Sequence, residues 1–346
     1  MLIPLISELI PIPSFRNLYK PKGLSTLLPL PLYVASWGVE DYPRTLSEFE
    51  DRFTTESACR QYLIDLRWPD GFRCPRCSAT GAWEMKDGLK RCHGCDHKQS
   101  ATAGTIFHRS HLPLRVWFRA MWWVTNQKSG VSASGLQRLL GLGSYETAWA
   151  LLQKLRRAMV RPGREKLSGN IEVDETFVDG VDKGSRGRHL GNKALVAVAA
   201  ELDGRGIGRI RLGRIPDASA RSLHAFVETT AERGSTIITD GWPSYDDLKS
   251  QGFKHKPRTI SGSQKTASTL LPRVHRVAAL LKRWLLGTHQ GAISREHLDY
   301  YLDEFTFRFN RRSSQHRGKL LYRLVQQAAV VDPVPYSKLV SNPSKR

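Results

Sequence analysis

Cysteine is scarce in this 346-residue chain: five in all, too few for a disulfide scaffold, with four of them crowded between residues 74 and 95. Long apolar runs are missing. The N-terminal stretch MLIPLISELIPIPS is cut by Pro4, Pro11 and Pro13, lacks a basic leader and is too short to span a bilayer, so neither a membrane partner nor secretion is expected. Acid is short as well, with 32 Asp and Glu against 53 Lys and Arg, a formal charge of +21. Such an excess attracts a polyanion and releases its condensed counterions, which makes nucleic acid the expected partner. Internal repeats at solenoid periods are also lacking. A hydrophobic share of 40% with 25% charged residues is ordinary for globular chains and excludes wholesale disorder. Clustered rather than scattered cysteines point to metal binding in a reducing compartment, hence the cytoplasm.

The length allows two or three domains. Residues 1–45 hold seven of the 18 prolines, which disfavours long helices and central strands. They are expected to form a disordered leader, such as translation from an upstream start would add. Residues 46–70 predict one helix, with Phe49, Phe53, Cys59, Tyr62 and Leu63 at helical spacing, Cys59 in its core, and a stop at Trp68-Pro69-Asp70-Gly71. A cysteine module occupies 71–104 and a helical region 113–160. From Gly169 the chain turns to β-rich runs: IEVDETFVDG, ALVAVAAEL, GIGRIRLGRI, then a helix near 218–232 and a fourth strand, STIITD. Helices return from Pro272 to Ala329, so 169–325 predicts an α/β domain with a mixed sheet. Residues 330–346 predict a flexible tail.

The cysteines are spaced C-x2-C-x14-C-x2-C: Cys74, Cys77, Cys92 and Cys95. Two paired turns of this kind point four thiolates at one tetrahedral ion and leave no open position, so structural Zn2+ is expected, with His93 and His97 as surface groups. Further on, a short helix from Ser132 to Leu140, the turn Gly141-Leu142-Gly143-Ser144 and a longer helix from Tyr145 to Arg157 follow the helix-turn-helix plan, with Ser144 as N-cap. A plain helical hairpin has the same pattern. The second helix is expected to present Tyr145, Glu146, Thr147, Gln153, Lys154, Arg156 and Arg157 outward, reaching base edges at its start and phosphates at its end.

Two β-branched strands are expected to end in aspartate, one in Asp174-Glu175-Thr176 and the other in Thr239-Asp240-Gly241. Strand ends are where α/β sheets place chemistry, and two neighbouring aspartates repel unless a hard divalent cation such as Mg2+ or Mn2+ lies between them.

The stretches DETFVDG from Asp174, TDGWPSY from Thr239, VHRVAALLKR from Val274 and YLDEFTFRFNRR from Tyr301 together resemble the catalytic region of bacterial DDE-class transposases of the insertion-sequence 1595 family. That family also carries a zinc ribbon and a helix-turn-helix, so the resemblance covers approximately residues 45–325. It implies a ribonuclease-H-like catalytic domain, with Asp174 and Asp240 as catalytic metal-site residues and a third on a later helix. Aligned on LLKR, the position where the commonest members carry Glu is His275, 35 residues after Asp240, with Lys282 two helical turns further on the same face. An imidazole can bind a divalent ion or hold a water, and the family tolerates other residues there. Asp246, Glu296, Asp299, Asp303 and Glu304 are rival acids, better suited to capping or ion pairing. Basic residues in the Gly-rich segment Lys183, Arg186, Arg188, His189 and Lys193, and in Arg308, Arg311, Arg312, Arg317 and Lys319, are expected to grip phosphates.

The resemblance therefore implies an enzyme that binds terminal inverted repeats and performs metal-dependent cleavage and strand transfer on double-stranded DNA, both transposon ends and target. It would act as a homodimer or larger synaptic assembly in the bacterial cytoplasm, on the nucleoid. The alternatives are a DNA-binding regulator or an inactive relic, since no carboxylate stands at the third position, and a nuclease that cuts without joining.

Overall fold

The computed structural model describes residues 40–161, 163–178, 193–258, 267–291 and 293–341. Most of the predicted leader, the basic segment 179–192 and residues 342–346 lie outside the described residues.

The predicted helix over 46–70 is two helices, α1 (Leu46–Arg52) and α2 (Glu56–Arg67). The break comes where Thr55 turns extended and accepts a hydrogen bond from the Ala58 amide, capping α2 just as Thr45 caps α1. Residues 41–45 are therefore not leader: Tyr62 donates to the Asp41 carbonyl at 2.8 Å and Pro43 is buried. A small antiparallel sheet follows, β1 (Ala82–Glu84), β2 (Lys90–Cys92) and β3 (Lys98–Gln99). Next come α3 (Leu114–Asn126), α4 (Ala133–Leu140) and α5 (Tyr145–Ala158). Gly141, with φ of 62°, makes the left-handed turn after α4, and the Ser144 hydroxyl accepts from the Thr147 amide to start α5.

The larger sheet consists of β4 (Asn170–Val178), β5 (Ala194–Asp203), β6 (Gly206–Ile215), β7 (Thr236–Thr239) and β8 (Lys254–Pro257), with α6 (Ala220–Thr230) between β6 and β7. Its order is β6-β5-β4-β7-β8; β5 runs antiparallel to both β4 and β6, while β7 and β8 run parallel to β4. This mixed order is the ribonuclease-H-like arrangement. β5 is buried from Ala194 to Ala200, as its unbroken apolar run requires of a central strand. After β8 come α7 (Ala267–Leu270), α8 (Pro272–His289), α9 (Leu298–Phe309), α10 (Gly318–Ala328) and α11 (Tyr336–Ser341). The expected flexible tail thus holds a short helix, anchored by the fully buried Leu339.

Strand alternation sorts the sheet into two faces. Ile171, Val173, Leu195 and Ala197 pack with Leu223 and Phe226 of α6, whereas Val178, Val196, Val198 and Ile238 pack with Val274, Val277 and Leu281 of α8. A third core joins α2, α3, α4 and α5, and it is completed by Phe307 and by Leu320, Leu321, Leu324 and Val325 of α10.

Candidate active site and nucleic-acid interface

The four cysteine sulfurs lie within 4.8 Å of one another, with Cys74 and Cys95 at 3.6 Å and Cys77 and Cys92 at the same distance. Each pair ends in a residue of left-handed conformation, Ser78 (φ 60°) and Asp96 (φ 55°), which turns the knuckle back. The Arg76 and Gly94 amides point at the Cys74 and Cys92 sulfurs at 3.4 and 3.3 Å. Four converging thiolates suit one structural zinc. Cys59 stays out of this site, fully buried in the helical core with its thiol pushed up to about 12 by burial.

On the α/β sheet, β4 and β7 run parallel with Glu172 opposite Ile238, so two residues further on Asp174 stands level with Asp240. Asp174 is not the end of its strand, because β4 stays paired with β5 as far as Val178. Asp240 does end β7. Its Oδ1 accepts from the Trp242 amide at 3.0 Å while Gly241, at φ 87°, turns the chain away. Asp174 is pushed up to about 6, first by burial and then by the charges of Asp240 and Glu172. From α8, His275 brings its Nε2 to 3.5 Å from Asp174 Oδ2. Lys282 is exposed two turns along the same helix.

A pair of carboxylates whose charges repel, joined by an imidazole, is a donor set suited to a hard divalent cation. Among the described residues, however, no group besides the four cysteines brings three or more ligand atoms together as tightly. On the opposite face of β4, Tyr245 donates to Glu175 at 2.9 Å, and burial holds that carboxyl above its usual range.

Residues 166–310 match the model of the ISXO2-like transposase domain and residues 54–98 that of the transposase zinc-ribbon domain, both of the IS1595 group and together more than half of the chain. The chain belongs to the IS1595 transposases. An uncharacterized protein in transposable element ISH50 of Halobacterium salinarum is 27% identical to this transposase over 276 residues, 74% of this chain and 91% of that one. Two solved structures are more distant. The Mos1 strand transfer complex is 17% identical, covering 62% of this chain and 76% of that one at a TM-score of 0.29. A simian T-cell lymphotropic virus intasome in complex with the PP2A regulatory subunit B56 gamma is 14% identical, covering 55% and 74% at a TM-score of 0.30.

Of the residues expected to face DNA, Arg156 is instead part of the transposase's interior, and Arg308, Arg311 and Arg312 have donors engaged within the protein. Arg156 is 1% exposed: its Nε donates to Glu304 at 2.8 Å and its guanidinium lies 3.9 Å from the Tyr301 ring centre. Gln153 is buried as well. The cause is that α5 is covered on its second face by α9, so charge alone misreads which side is solvent. Arg308 donates to the carbonyls of Val124, Gln127 and Lys128, Arg311 lies over Phe307, and Arg312 lies over Phe309 and donates to Ile207 and Gly208. Arg308 thus ties α9 to the end of α3, Arg311 folds back on α9 itself, and Arg312, which is exposed, reaches the start of β6. Tyr145 is 48% exposed, while Thr147, Lys154 and Arg157 are half-buried, burial holding Lys154 below its usual pKa. Of the rival acids, Asp299 pairs with Arg214 at 3.2 Å and Glu304 with Arg156. No helix among the described residues is long and apolar enough to cross a membrane.

Proposed function

We propose that this transposase cuts and joins DNA at Asp174, Asp240 and His275, and that it binds the ends of its element through the zinc ribbon and the exposed start of α5. Two carboxylates level on neighbouring parallel strands, with an imidazole 3.5 Å from one of them, are the observation that carries this function. Mg2+ or Mn2+, held by Asp174, Asp240 and His275, would supply Lewis-acid stabilisation of the phosphoryl group during in-line displacement. Asp174 and Asp240 anchor the negative floor of the site. His275 places its Nε2 beside Asp174 Oδ2, so a neutral imidazole would offer its lone pair to the same ion. Lys282, exposed along the same helix, is suited to a phosphate flanking the scissile bond. Tyr145 and Thr147 face the bases, and Lys154 and Arg157 the backbone, of double-stranded transposon ends. Pairing two ends requires two sites, hence a homodimer or larger assembly acting on the nucleoid in the cytoplasm.

The test uses full-length protein and DNA carrying the element's terminal repeats. Asp174→Asn and Asp240→Asn keep side-chain size but remove the anchoring charge, so cleavage and strand transfer should disappear while end binding stays within about twofold. Cleavage by either variant at the wild-type rate overturns the assignment. Loss of chemistry on His275→Ala with activity recovered on His275→Glu supports a metal-site role for His275. Full activity of His275→Ala at saturating DNA removes it from the set.

A further inference from the structure

Glu172 lies two residues before Asp174 on β4, and its side chain is completely buried. Strand alternation puts it on the same face as Asp174, towards α8. Its Oε2 accepts from the backbone amides of Arg273 at 2.7 Å and Val274 at 3.2 Å, and its Oε1 from the Arg273 guanidinium at 3.0 Å. These are the second and third residues of α8. Pro272, the first, has no amide proton, and Leu271 before it provides no side-chain cap. Glu172 therefore acts as the missing cap, delivered from another element, and its charge suits the positive end of the helix. The remaining Arg273 donors bind the Gly204 and Gly206 carbonyls, at 2.9 and 3.0 Å, in the turn joining β5 to β6.

A buried ion pair is a poor way to add stability, because desolvation consumes most of what the charges gain. An apolar side chain would serve a plain core position better. What a charged clamp of five hydrogen bonds provides is registry. It locks the N-terminus of α8 against β4 one residue before His275 and one pleat, about 7 Å, from Asp174.

We infer that Glu172 is a positioning residue: through Arg273 and the amides of α8, it holds the His275 imidazole at the Asp174 carboxylate. This rests on the active site proposed above. Mn2+ binding to the full-length zinc-loaded protein, measured without DNA by electron paramagnetic resonance, gives a readout independent of turnover. Glu172→Gln should raise the Mn2+ dissociation constant about tenfold, the size typical when the group orienting a metal ligand is lost. It should leave end-DNA binding unchanged. In a His275→Ala background the same substitution should change Mn2+ affinity less than about twofold, since there is no imidazole left to position. Arg273→Gln, which keeps the two backbone bonds to Glu172, should shift affinity in the same direction by a smaller factor, and it decides the matter if Glu172→Gln does not fold. An unchanged Mn2+ affinity, or an equal loss with and without His275, overturns the inference. Failure of the active-site assignment itself would show separately, as Asp174→Asn that still binds Mn2+ and cleaves.

Discussion

Arg156 offers the sharpest test of how this molecule is assembled. Replacing it with Met removes one partner of an ion pair whose side chains are 2% and 1% exposed, and strands the Glu304 carboxylate in the interior. Burial alone would raise the Glu304 pKa, but the charges of Arg156 and Arg308 hold it below the usual carboxylate range, so it stays ionised and in need of a partner. Breaking such a pair costs about 3–5 kcal/mol. Arg308 remains 3.6 Å from Glu304 Oε1 and offsets part of that, while loss of the guanidinium over Tyr301 adds about 1–2 kcal/mol. We therefore expect Arg156→Met to lose about 3–5 kcal/mol in equilibrium urea denaturation. The double variant Arg156→Met/Glu304→Leu should recover to within about 1 kcal/mol of wild type, because a matched apolar pair replaces buried charge without penalty. On end DNA, the salt dependence of binding by Arg156→Met should equal that of wild type. If destabilisation is below about 1 kcal/mol and the log-log salt slope drops by about 0.9, Arg156 contacts phosphate and the buried pair is wrong.

Other outcomes can be checked as directly. Elemental analysis should find one zinc per chain, and Cys74→Ser or chelation should unfold the ribbon, since its small core of Phe72, Cys74 and Cys92 cannot hold it alone. Burial, reinforced by the Arg156 charge, holds His289 down to about 4, so below pH 6.5 the unfolded chain takes up a proton that the folded chain refuses. Urea midpoints should therefore show stability falling by about 2 kcal/mol between pH 7 and pH 5 on this account, and His289→Phe should remove that component. Gly318→Ala would drive a methyl into the Pro43 carbonyl oxygen, so it should cost about 1–3 kcal/mol and expose residues 41–45 to limited proteolysis.

What the sequence made legible follows from how local each cause is. The four ligand cysteines announce themselves because metal geometry fixes their spacing, and β4 to β7 because β-branched and apolar alternation is a short-range signal. β8 escaped notice because Lys254-His255-Lys256-Pro257 has the charge and proline of a protected edge strand rather than an apolar pattern. Glu172, alternating with Ile171 and Val173, carries no sequence signal of burial; that burial is decided by α8, which arrives a hundred residues later. Arg156 was misplaced for the same reason. A signal was available in YYLDEFTFRF, where Glu304 sits among aromatics and needs an internal cation.

The third hydrophobic core, which α10 completes for helices drawn from the first half of the chain, also sets an order of events during synthesis. The ribbon can close on zinc as soon as its cysteines emerge, but α3 to α5 wait for Leu320 to Val325, which leave the ribosome only when nearly the whole chain has been made. A chain interrupted before that point leaves this helical core unfinished, with its apolar helix faces exposed and open to proteolysis.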